Sequence, residues 1–451
     1  MVEEIVIPAL VALGTIMVLG FIGNYIFNRT QIPSIVWLLL FGLIVGYIIR
    51  ERYVLDESFL FTFSGFFAAI AIVIILFDGG INTDLHQLFK GAPRGLLLTI
   101  SGFCLSLLAT LLIIVGLSAT GILPIKLGDS FAVGIILGAI VGGTSSPIVI
   151  PLVSRLRNLQ EKTKVILSIE SIITDPLAIV VVLAGVYMIV VARSPDLAIG
   201  IKNLVSTFSV GIVVGTILGF VWLPVMHKVR KEQFSYVLTL AVVFLVYSLT
   251  ALLVGIEEGG AGAGAISCLM FGLVLGNGKK LLTMIKYEGK AFEMDEQTKQ
   301  FHSLTSFVIR TFFFVYLGIM VSFQKIEFII VGILVLFALL GLRFLAVHIS
   351  TFRGIFEKDD KQTMMVIMPR GLAAAILAIS FGPVLVSEKG LNLGTTMVGF
   401  FQDVAFVVIL GTAIICTIGV SIISHYEKKK LEITDEKQTD SEKIDELISK
   451  K

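Results

Sequence analysis

The stretch "GAIVGGTSSPIVIPL", from Gly138 to Leu152, lies in an apolar run long enough to cross a membrane, yet glycines and prolines interrupt it. Proline removes a backbone donor, and its ring clashes with the carbonyl four residues back. Backbone groups freed at membrane depth are tolerated only against protein or a water-filled cavity. The stretch therefore predicts a helix that is broken in the interior of a membrane protein, with Pro147 at the break.

The composition of the whole chain also indicates an all-α polytopic membrane protein. It has 451 residues, of which 56% are hydrophobic and 15% are charged. A net charge of +2 suggests no nucleic-acid partner, and three cysteines in apolar segments form no metal or disulfide pattern. The first apolar run follows Met-Val-Glu-Glu without a basic region or cleavage site, so we expect a retained helix rather than a signal peptide. We expect no cofactor.

Apolar segments of about the length that a bilayer requires predict thirteen transmembrane helices. They lie near residues 5–26, 33–49, 59–79, 95–118, 131–153, 165–192, 206–226, 235–255, 261–277, 303–323, 327–350, 364–386 and 399–425. Loops after the odd-numbered helices carry 18 basic residues, against 7 in the other loops. The positive-inside rule then predicts that the N-terminus lies outside and the C-terminus lies in the cytosol. We expect the membrane to be the plasma membrane.

A second interruption falls in predicted helix twelve, where "VIMPRGLAAAILAISFGP" (Val366 to Pro383) contains Pro369-Arg370-Gly371. Helices five and twelve are seven apart, so halves made of helices 1–6 and 8–13 would have opposite orientations. Inverted repeats with broken helices at the binding site are typical of secondary transporters. Glycine and proline are also simply frequent in membrane helices, but the matching positions of the breaks favour the inverted repeat.

Predicted helix six carries two carboxylates, Glu170 and Asp175, although an Asp in mid-membrane costs at least ~2.5 kcal/mol. Ser171 lies four residues before Asp175 and shares its face, and Thr174 is adjacent. Pro176 leaves the carbonyl four residues back without its donor and predicts a further local break. These oxygens form a patch that suits a monovalent cation, and the alternative is a carboxyl satisfied by the hydroxyls alone.

Glu170 lies about 140° around the helix from Asp175 and needs another explanation. A buried carboxylate is normally paired. Arg343 on helix eleven is the first candidate partner and Arg310 on helix ten is the second, with direct ion binding as the alternative.

Other ionisable residues in the apolar segments have mainly structural explanations. Asp78 is a cap or interface residue near the cytosolic surface, or it lines the cytosolic mouth of the ion site. Arg370 follows the proline in the helix-twelve break and is expected to neutralise the carbonyl end of a half-helix. His348 and Asp403 lie nearer the interfaces.

These residues resemble the monovalent cation:proton antiporter superfamily, in particular its NhaP-type sodium/proton antiporter branch, over about residues 5–425. "ESIITDP" (Glu170 to Pro176) is similar to that family's Glu-Ser-x-x-Asn-Asp-Pro motif. The helix-five break with "IPLVSRLR" after it, "VYLGIMVSF", "GLRFLAV" and "MPRGLAAAILA" resemble other parts of the family pattern.

The resemblance implies an NhaA/NhaP-like fold of thirteen helices with two crossed broken helices, assembled as a homodimer. It implies interface helices at about 5–79 and 206–323 and transport-core helices at about 95–192 and 327–425, within a membrane domain of residues 1–425. The charged tail, residues 426–451, is expected to lie in the cytosol.

The resemblance also implies roles for individual residues. Asp175 would bind the cation or the proton, Thr144 and Ser171 would be oxygen ligands, and Glu170 and Arg343 would form a buried pair. Two positions depart from the family pattern. Thr174 replaces the usual Asn, and Ser145 stands where the branch often has Asp after the Thr, which leaves the preference among Na⁺, Li⁺ and K⁺ open.

These observations predict a secondary transporter in a lipid bilayer, not an enzyme. A monovalent cation, with Na⁺ as the first choice and Li⁺ or K⁺ as alternatives, would compete with H⁺ for Asp175 during alternating access, so exchange would be electroneutral, one for one. A K⁺/H⁺ antiporter or K⁺ efflux protein of the same fold is the alternative, and a cation channel is a distant one because no TVGYG-like filter is present. "GTS" at 143–145 with His348 is a poor match to a serine hydrolase, and no phosphate-binding loop indicates ATP-driven pumping.

Overall fold

The computed structural model describes residues 2–30, 32–52, 57–156, 159–190, 197–229, 232, 234–255, 260–284, 296–321, 323, 325–354, 356–386, 397 and 399–423. This part of the chain is all-α. Its helices are α1 (Val2–Thr30), α2 (Ser34–Arg52), α3 (Glu57–Ile81), α4 (Leu85–Ala119), α5 (Leu127–Gly142), α6 (Ser146–Arg155), α7 (Glu161–Val190), α8 (Leu197–Val229), α9 (Ser235–Val254), α10 (Gly260–Gly276), α11 (Gly278–Met284), α12 (Glu296–Met320), α13 (Ile326–Thr351), α14 (Lys358–Val366), α15 (Leu372–Val386) and α16 (Phe400–Ile423). The predicted tail, residues 426–451, lies outside the described residues.

Seven spans in the described part of the chain are long and apolar enough to cross a membrane. They are Pro93–Ala119, Leu127–Ser154, Glu161–Val186, Val205–Met226, Ser235–Val254, Ile326–Thr351 and Phe400–Ile423, and five shorter apolar helices accompany them. Each of the thirteen segments predicted from the sequence overlaps one helix or a pair of half-helices. The chain is therefore a multi-pass membrane protein, and the count of thirteen crossings stays a prediction.

The two predicted helix breaks are confirmed. α5 ends at Gly142 and α6 begins at Ser146, and the residues between them have extended backbone. Pro147 lies in the first turn of α6, where its missing N–H would have no helical partner in any case. The second break, between α14 and α15, spans residues 367–371 and contains Pro369. Each of these two segments is thus divided into two half-helices, and the residues between them are buried in the protein interior.

The predicted break at Pro176 is wrong, because α7 continues through this residue from Glu161 to Val190. A single proline removes one helical hydrogen bond, whereas the other two interruptions combine proline with glycine. Neighbouring helices can compensate for such a loss inside a membrane protein. α7 packs against α4, α5 and α6 along its length, and this packing keeps it a single helix.

The helices form two sets of close neighbours. α10 packs most extensively against α8 and α3, and α2 packs against α12. α4 packs against α5, α7 and α13. The half-helices α5 and α6 pack against this second set and α14 packs against α13, whereas α15 contacts both sets, through α3 and α12 on one side and α7 and α5 on the other. The residues between the half-helices of each broken span are buried. Large apolar side chains on the outward faces of α4, α8 and α9 are exposed, as expected of surfaces in contact with lipid.

Candidate functional site

The two breaks contact each other directly. The backbone N–H of Ser145, in the α5–α6 break, donates a hydrogen bond to the carbonyl of Pro369, in the α14–α15 break, at 2.9 Å. Gly371 provides the necessary space, because a Cβ atom there would lie 2.0 Å from Ser145 Oγ. The broken helices therefore cross at these residues, and backbone polar groups that would otherwise be unpaired satisfy each other.

Asp175 lies beside this crossing and faces the start of α6. Its side chain is 6% exposed, and its Oδ2 accepts a hydrogen bond from Ser146 Oγ at 3.3 Å. The backbone N–H of Ser146 also interacts with the carboxylate. The first N–H groups of a helix carry partial positive charge and attract anions. The inner end of α6 thus stabilises a negative charge on Asp175 without a basic side chain.

The structure brings Thr144, in the α5–α6 break, together with Thr174 on α7. The backbone N–H of Thr144 donates to Thr174 Oγ1 at 3.0 Å, and the two hydroxyl oxygens are 3.3 Å apart. Thr174 Oγ1 also lies 3.2 Å from the Thr144 carbonyl. Thr174 therefore binds the backbone of the break, whereas the sequence had suggested that its oxygen belongs to a cation-binding patch with Asp175 and Ser171.

Ser171 and Ser145 are both buried near this point. Ser171 Oγ donates to the carbonyl of Ser168 at 3.0 Å, within its own helix. Ser145 Oγ has no hydrogen-bond partner among the described residues and points at Gly371. Both oxygens retain lone pairs that a cation or a water molecule can use.

Glu170 and Arg343 form the buried ion pair that the sequence suggested. Arg343 Nη1 donates to Glu170 Oε1 and Arg343 Nη2 donates to Oε2 at 2.9 Å, so the pair is bidentate. The same guanidinium donates to the carbonyls of Met364 and Ile367 at the inner end of α14, at 2.8 and 2.9 Å. Its charge therefore neutralises both a carboxylate and the negative end of a half-helix.

Arg370 neutralises the negative C-terminal end of α5, the other half-helix that ends at the crossing. Its Nη1 donates to the carbonyl of Gly142, the last residue of α5, at 2.7 Å, and its Nη2 lies 3.4 Å from Ser106 Oγ on α4. Each inner C-terminal end, of α5 and of α14, thus has an arginine, and the inner N-terminal end of α6 has Asp175. The charges at these three helix ends match the sign of the helix dipole.

Asp78 lies apart from this group in the contacts that the structure describes. Its carboxylate accepts a hydrogen bond from Asn82 Nδ2 at 3.0 Å, one turn further along. It also interacts electrostatically with Arg310 on α12. These partners favour a structural role for Asp78 over a place in the cytosolic mouth of the ion site, the two roles that the sequence left open. His348 is exposed on α13, and its Nδ1 lies 2.8 Å from the Phe344 carbonyl.

Sequence reasoning missed Ser146, whose hydroxyl makes the hydrogen bond to Asp175 described above. The sequence had pointed to Ser145 instead, because this residue follows Thr144. The usable signal is the order Ser-Ser-Pro: a proline in the first turn of the second half-helix places the preceding hydroxyl residue at the helix N-terminus, where it faces any nearby anion.

Comparisons with known proteins bear on the whole chain. The family described as "Sodium/hydrogen exchanger, transmembrane" matches residues 14–425. Na(+)/H(+) antiporter 1 of Methanocaldococcus jannaschii is 27% identical over 414 residues, which is 89% of each chain. K(+)/H(+) antiporter NhaP2 of Shewanella sp. (strain ANA-3) is 29% identical over 214 residues, 46% of this chain and 34% of that protein.

The fold also matches a solved structure. The sodium proton antiporter MjNhaP1 from Methanocaldococcus jannaschii, at pH 8, superimposes with a TM-score of 0.72 at 23% identity, covering 94% of this chain and 97% of that one. The resemblance read from the helix-six motif and from the two breaks thus extends over nearly the entire protein. The chain belongs to the sodium/hydrogen exchanger family.

Proposed function

We propose that this protein is a secondary active antiporter that exchanges a monovalent cation, with Na⁺ as the first choice, for H⁺ by alternating access. Cation and proton compete for Asp175. The family and the Na⁺/H⁺ antiporter of Methanocaldococcus jannaschii support the reaction class, and the geometry of the crossing supports the choice of carboxylate.

The observation that carries this proposal is the contrast between the two buried carboxylates of α7. Glu170 is held by a bidentate arginine. Asp175 has a hydroxyl and a helix N-terminus beside it, and no basic side chain in the described part of the chain forms an ion pair with it. A buried carboxylate without a permanent counter-ion needs a mobile one. Either H⁺ or a metal cation fills that need.

The proposed ligands are oxygens around Asp175. Ser146 is the first, since its hydroxyl already lies at the carboxylate. Ser171, one turn before Asp175, and the free hydroxyl of Ser145 are further candidates, together with Thr144 at the break. We propose that Thr174 supports this site by holding the Thr144 backbone. We propose that Asp78 is not a ligand and has a structural role through its interaction with Arg310 on α12.

Exchange is obligatory because moving Asp175 with neither a proton nor a cation bound is unfavourable in free energy. A bare carboxylate at membrane depth is expensive to move, whereas a protonated carboxyl is neutral and a carboxylate with Na⁺ is compensated. Only these two loaded states cross readily. One cation therefore moves in one direction for each proton that moves in the other.

Alternating access requires two bodies. We propose that the transport core, residues 95–192 and 327–425, moves against an interface unit, residues 5–79 and 206–323, in a homodimer in the plasma membrane. The packing of α4 with α5, α7 and α13, and of α10 with α3 and α8, supports this division. We propose a cytosolic C-terminus from the distribution of basic residues.

Replacement of Asp175 by Asn tests the assignment. The amide is similar in shape, but it does not ionise, so it neither takes up a proton near neutral pH nor compensates the charge of a bound cation. We expect Asp175→Asn proteoliposomes to show no cation-driven proton exchange above that of empty liposomes, measured with a pH-sensitive dye.

The matched control is Glu161→Gln, which removes an exposed carboxylate from the same helix. It should exchange at the wild-type rate. Full exchange by Asp175→Asn would show that the competition takes place at another residue.

A K⁺/H⁺ antiporter is the second candidate, because the NhaP2 proteins of Shewanella also match the chain. Oxygen ligands serve Li⁺, Na⁺ and K⁺ alike. The same dye assay with each cation at equal concentration separates the two functions. A response to K⁺ without one to Na⁺ would favour the second, and flux without saturation or counterflow would indicate a channel.

A further inference from the structure

One peptide group of the α14–α15 break is held from both sides. The carbonyl of Pro369 accepts the Ser145 N–H at 2.9 Å, and the N–H of Arg370 donates to Thr412 Oγ1 on α16 at 3.0 Å. This C=O and this N–H belong to the same planar peptide, and in a trans peptide they point in opposite directions. Thr412 therefore fixes the plane whose carbonyl anchors the other broken helix.

The surroundings of Thr412 suit this role. The side chain is fully buried, and its hydroxyl donates to the carbonyl of Val408, four residues back, at 2.8 Å. The donated proton is thus committed to its own helix, which leaves the oxygen lone pairs facing the Arg370 N–H. Arg370 needs this acceptor because a buried N–H in a break has no helical partner.

The α5–α6 break contains the same kind of hydrogen bond, from a backbone N–H to a threonine hydroxyl. The Thr144 N–H donates to Thr174 Oγ1 at 3.0 Å. In each half of the chain, a threonine from the helix after the broken span accepts a backbone N–H of the break. α7 supplies it in the first half and α16 in the second, which agrees with two repeats of related architecture. The sequence drew no attention to Thr412.

A continuous path leads from Thr412 to the ion site. The Pro369–Arg370 peptide joins Thr412 to the Ser145 N–H, and Ser146, the next residue, donates to Asp175. We propose that Thr412 is a positioning residue for cation binding, acting through this peptide on the Ser145–Ser146 segment. This inference rests on the exchange activity proposed above.

The test compares Thr412→Val, which keeps the shape and removes the hydroxyl, with Thr412→Ser, which keeps the hydroxyl. The control is Thr417→Val, since Thr417 on the same helix donates only to Ala413, at 2.7 Å. Initial rates of exchange are measured against cation concentration in proteoliposomes. We expect Thr412→Val to raise the KM for the cation about three- to tenfold, with a maximal rate within about twofold of wild type. Thr412→Ser and Thr417→Val should keep the wild-type KM.

A purely structural role would lower the yield of folded protein and leave the KM of the remainder unchanged, and that result overturns the inference. An equal rise in Thr417→Val does so as well. If Thr412→Val gives no folded protein, Thr412→Cys replaces it as the test. The cysteine thiol is a weak acceptor, so the KM for the cation should lie between those expected for the wild type and for Thr412→Val. A wild-type KM in Thr412→Cys would also overturn the inference.

The double variant Thr412→Val with Ser146→Ala tests the path itself. If Thr412 acts through Ser146, the two effects on KM overlap and the double variant is little worse than Ser146→Ala. Fully independent effects overturn the path. A wild-type protein without exchange would overturn the proposed function, whereas normal wild-type exchange with an unchanged KM in Thr412→Val overturns this inference alone.

Discussion

At the scale of residues, the crossing contains three charged side chains with fixed partners and one carboxylate without a basic partner among the described residues. Arg343 and Arg370 hold the carbonyl ends of two half-helices, and Glu170 is bound to Arg343. Asp175 alone in this group faces a positive helix end without an arginine. The paired charges shape the crossing, and the proposed function assigns the exchange of partners during transport to Asp175.

The Glu170–Arg343 pair should matter for stability more than for ion selection. Removing either partner leaves a buried charge uncompensated, which costs about 3–5 kcal/mol. We expect Glu170→Gln and Arg343→Met each to lower the free energy of unfolding by about that amount, and the double variant to lose less than the sum, as measured by thermal unfolding in detergent.

The exposed pair of Lys164 and Glu161 is the control, because its N–O distance is 2.7 Å but the glutamate is 84% exposed. Surface pairs contribute little. Strict additivity of the two buried changes would contradict a direct energetic coupling between Glu170 and Arg343.

Gly371 should tolerate no side chain. A Cβ there would lie 2.0 Å from Oγ and 2.3 Å from Cβ of Ser145, so even alanine pushes the two breaks apart. Overpacking of this kind costs about 1–3 kcal/mol. We expect Gly371→Ala to lose most exchange activity in proteoliposomes and to unfold at a lower temperature.

Gly341→Ala on α13 is the matched control, since nothing lies within 4 Å of its added Cβ. Introducing Ser145→Gly into Gly371→Ala removes the clash and should restore part of the thermal stability. If Gly371→Ala exchanged at the wild-type rate, close contact between the breaks would not be needed for transport.

At the scale of elements, small residues let helices approach closely within the lipid bilayer, where the hydrophobic effect does not drive them together. In lipid, helix association depends on packing and on backbone approach. On α8, Gly211, Gly215 and Gly219 are spaced four residues apart and face α10, its most extensive neighbour. The contact between α8 and α10 therefore depends on close backbone approach as much as on side chains.

Gly215 is the centre of this contact. A Cβ there would lie 2.3 Å from the carbonyl oxygen of Ser267, and backbone cannot move aside as a side chain can. We expect Gly215→Ala to lower the free energy of unfolding by about 1–3 kcal/mol. Thermal unfolding of purified protein in detergent measures the change.

Gly116→Ala on α4, with no atom within 4 Å of the new Cβ, serves as the comparison. Because alanine has the higher helix propensity, this variant should be as stable as wild type or slightly more so. A Gly215→Ala protein as stable as Gly116→Ala would mean that α8 and α10 are not packed this closely.

At the scale of the whole molecule, the number of variable carboxylates sets the charge moved per cycle. If Asp175 carries either one cation or one proton, both loaded cores have the same net charge. Exchange is then electroneutral, and the membrane potential does no work on it. We expect a voltage imposed across proteoliposomes, without cation or pH gradients, to drive no exchange.

A Na⁺ gradient imposed on the same vesicles is the positive control and should move protons in the opposite direction. If voltage alone produced a pH change that depends on Na⁺, more than one proton would exchange for each cation. A second titrating carboxylate would then have to be sought, with Glu170 and Asp78 the first to replace.

Much of the architecture follows from local features of the sequence. Hydropathy locates the membrane segments, and prolines combined with glycines locate both breaks, because a missing N–H acts on its own helix. The same reasoning failed at Pro176, where neighbours around α7 keep the helix continuous. Local rules give the tendency to break, and packing determines whether a break forms.

The sequence by itself determined the membrane class, the two broken spans and the carboxylates of α7, and it ranked Arg343 first among the candidate partners of Glu170, which the structure confirms. Only the tertiary structure decided that Ser146 faces Asp175, that Thr174 holds the Thr144 backbone, and that Thr412 holds Arg370. The reason is physical. Hydropathy and proline act along the chain, whereas the partner of an unpaired polar group depends on which distant helix lies beside it.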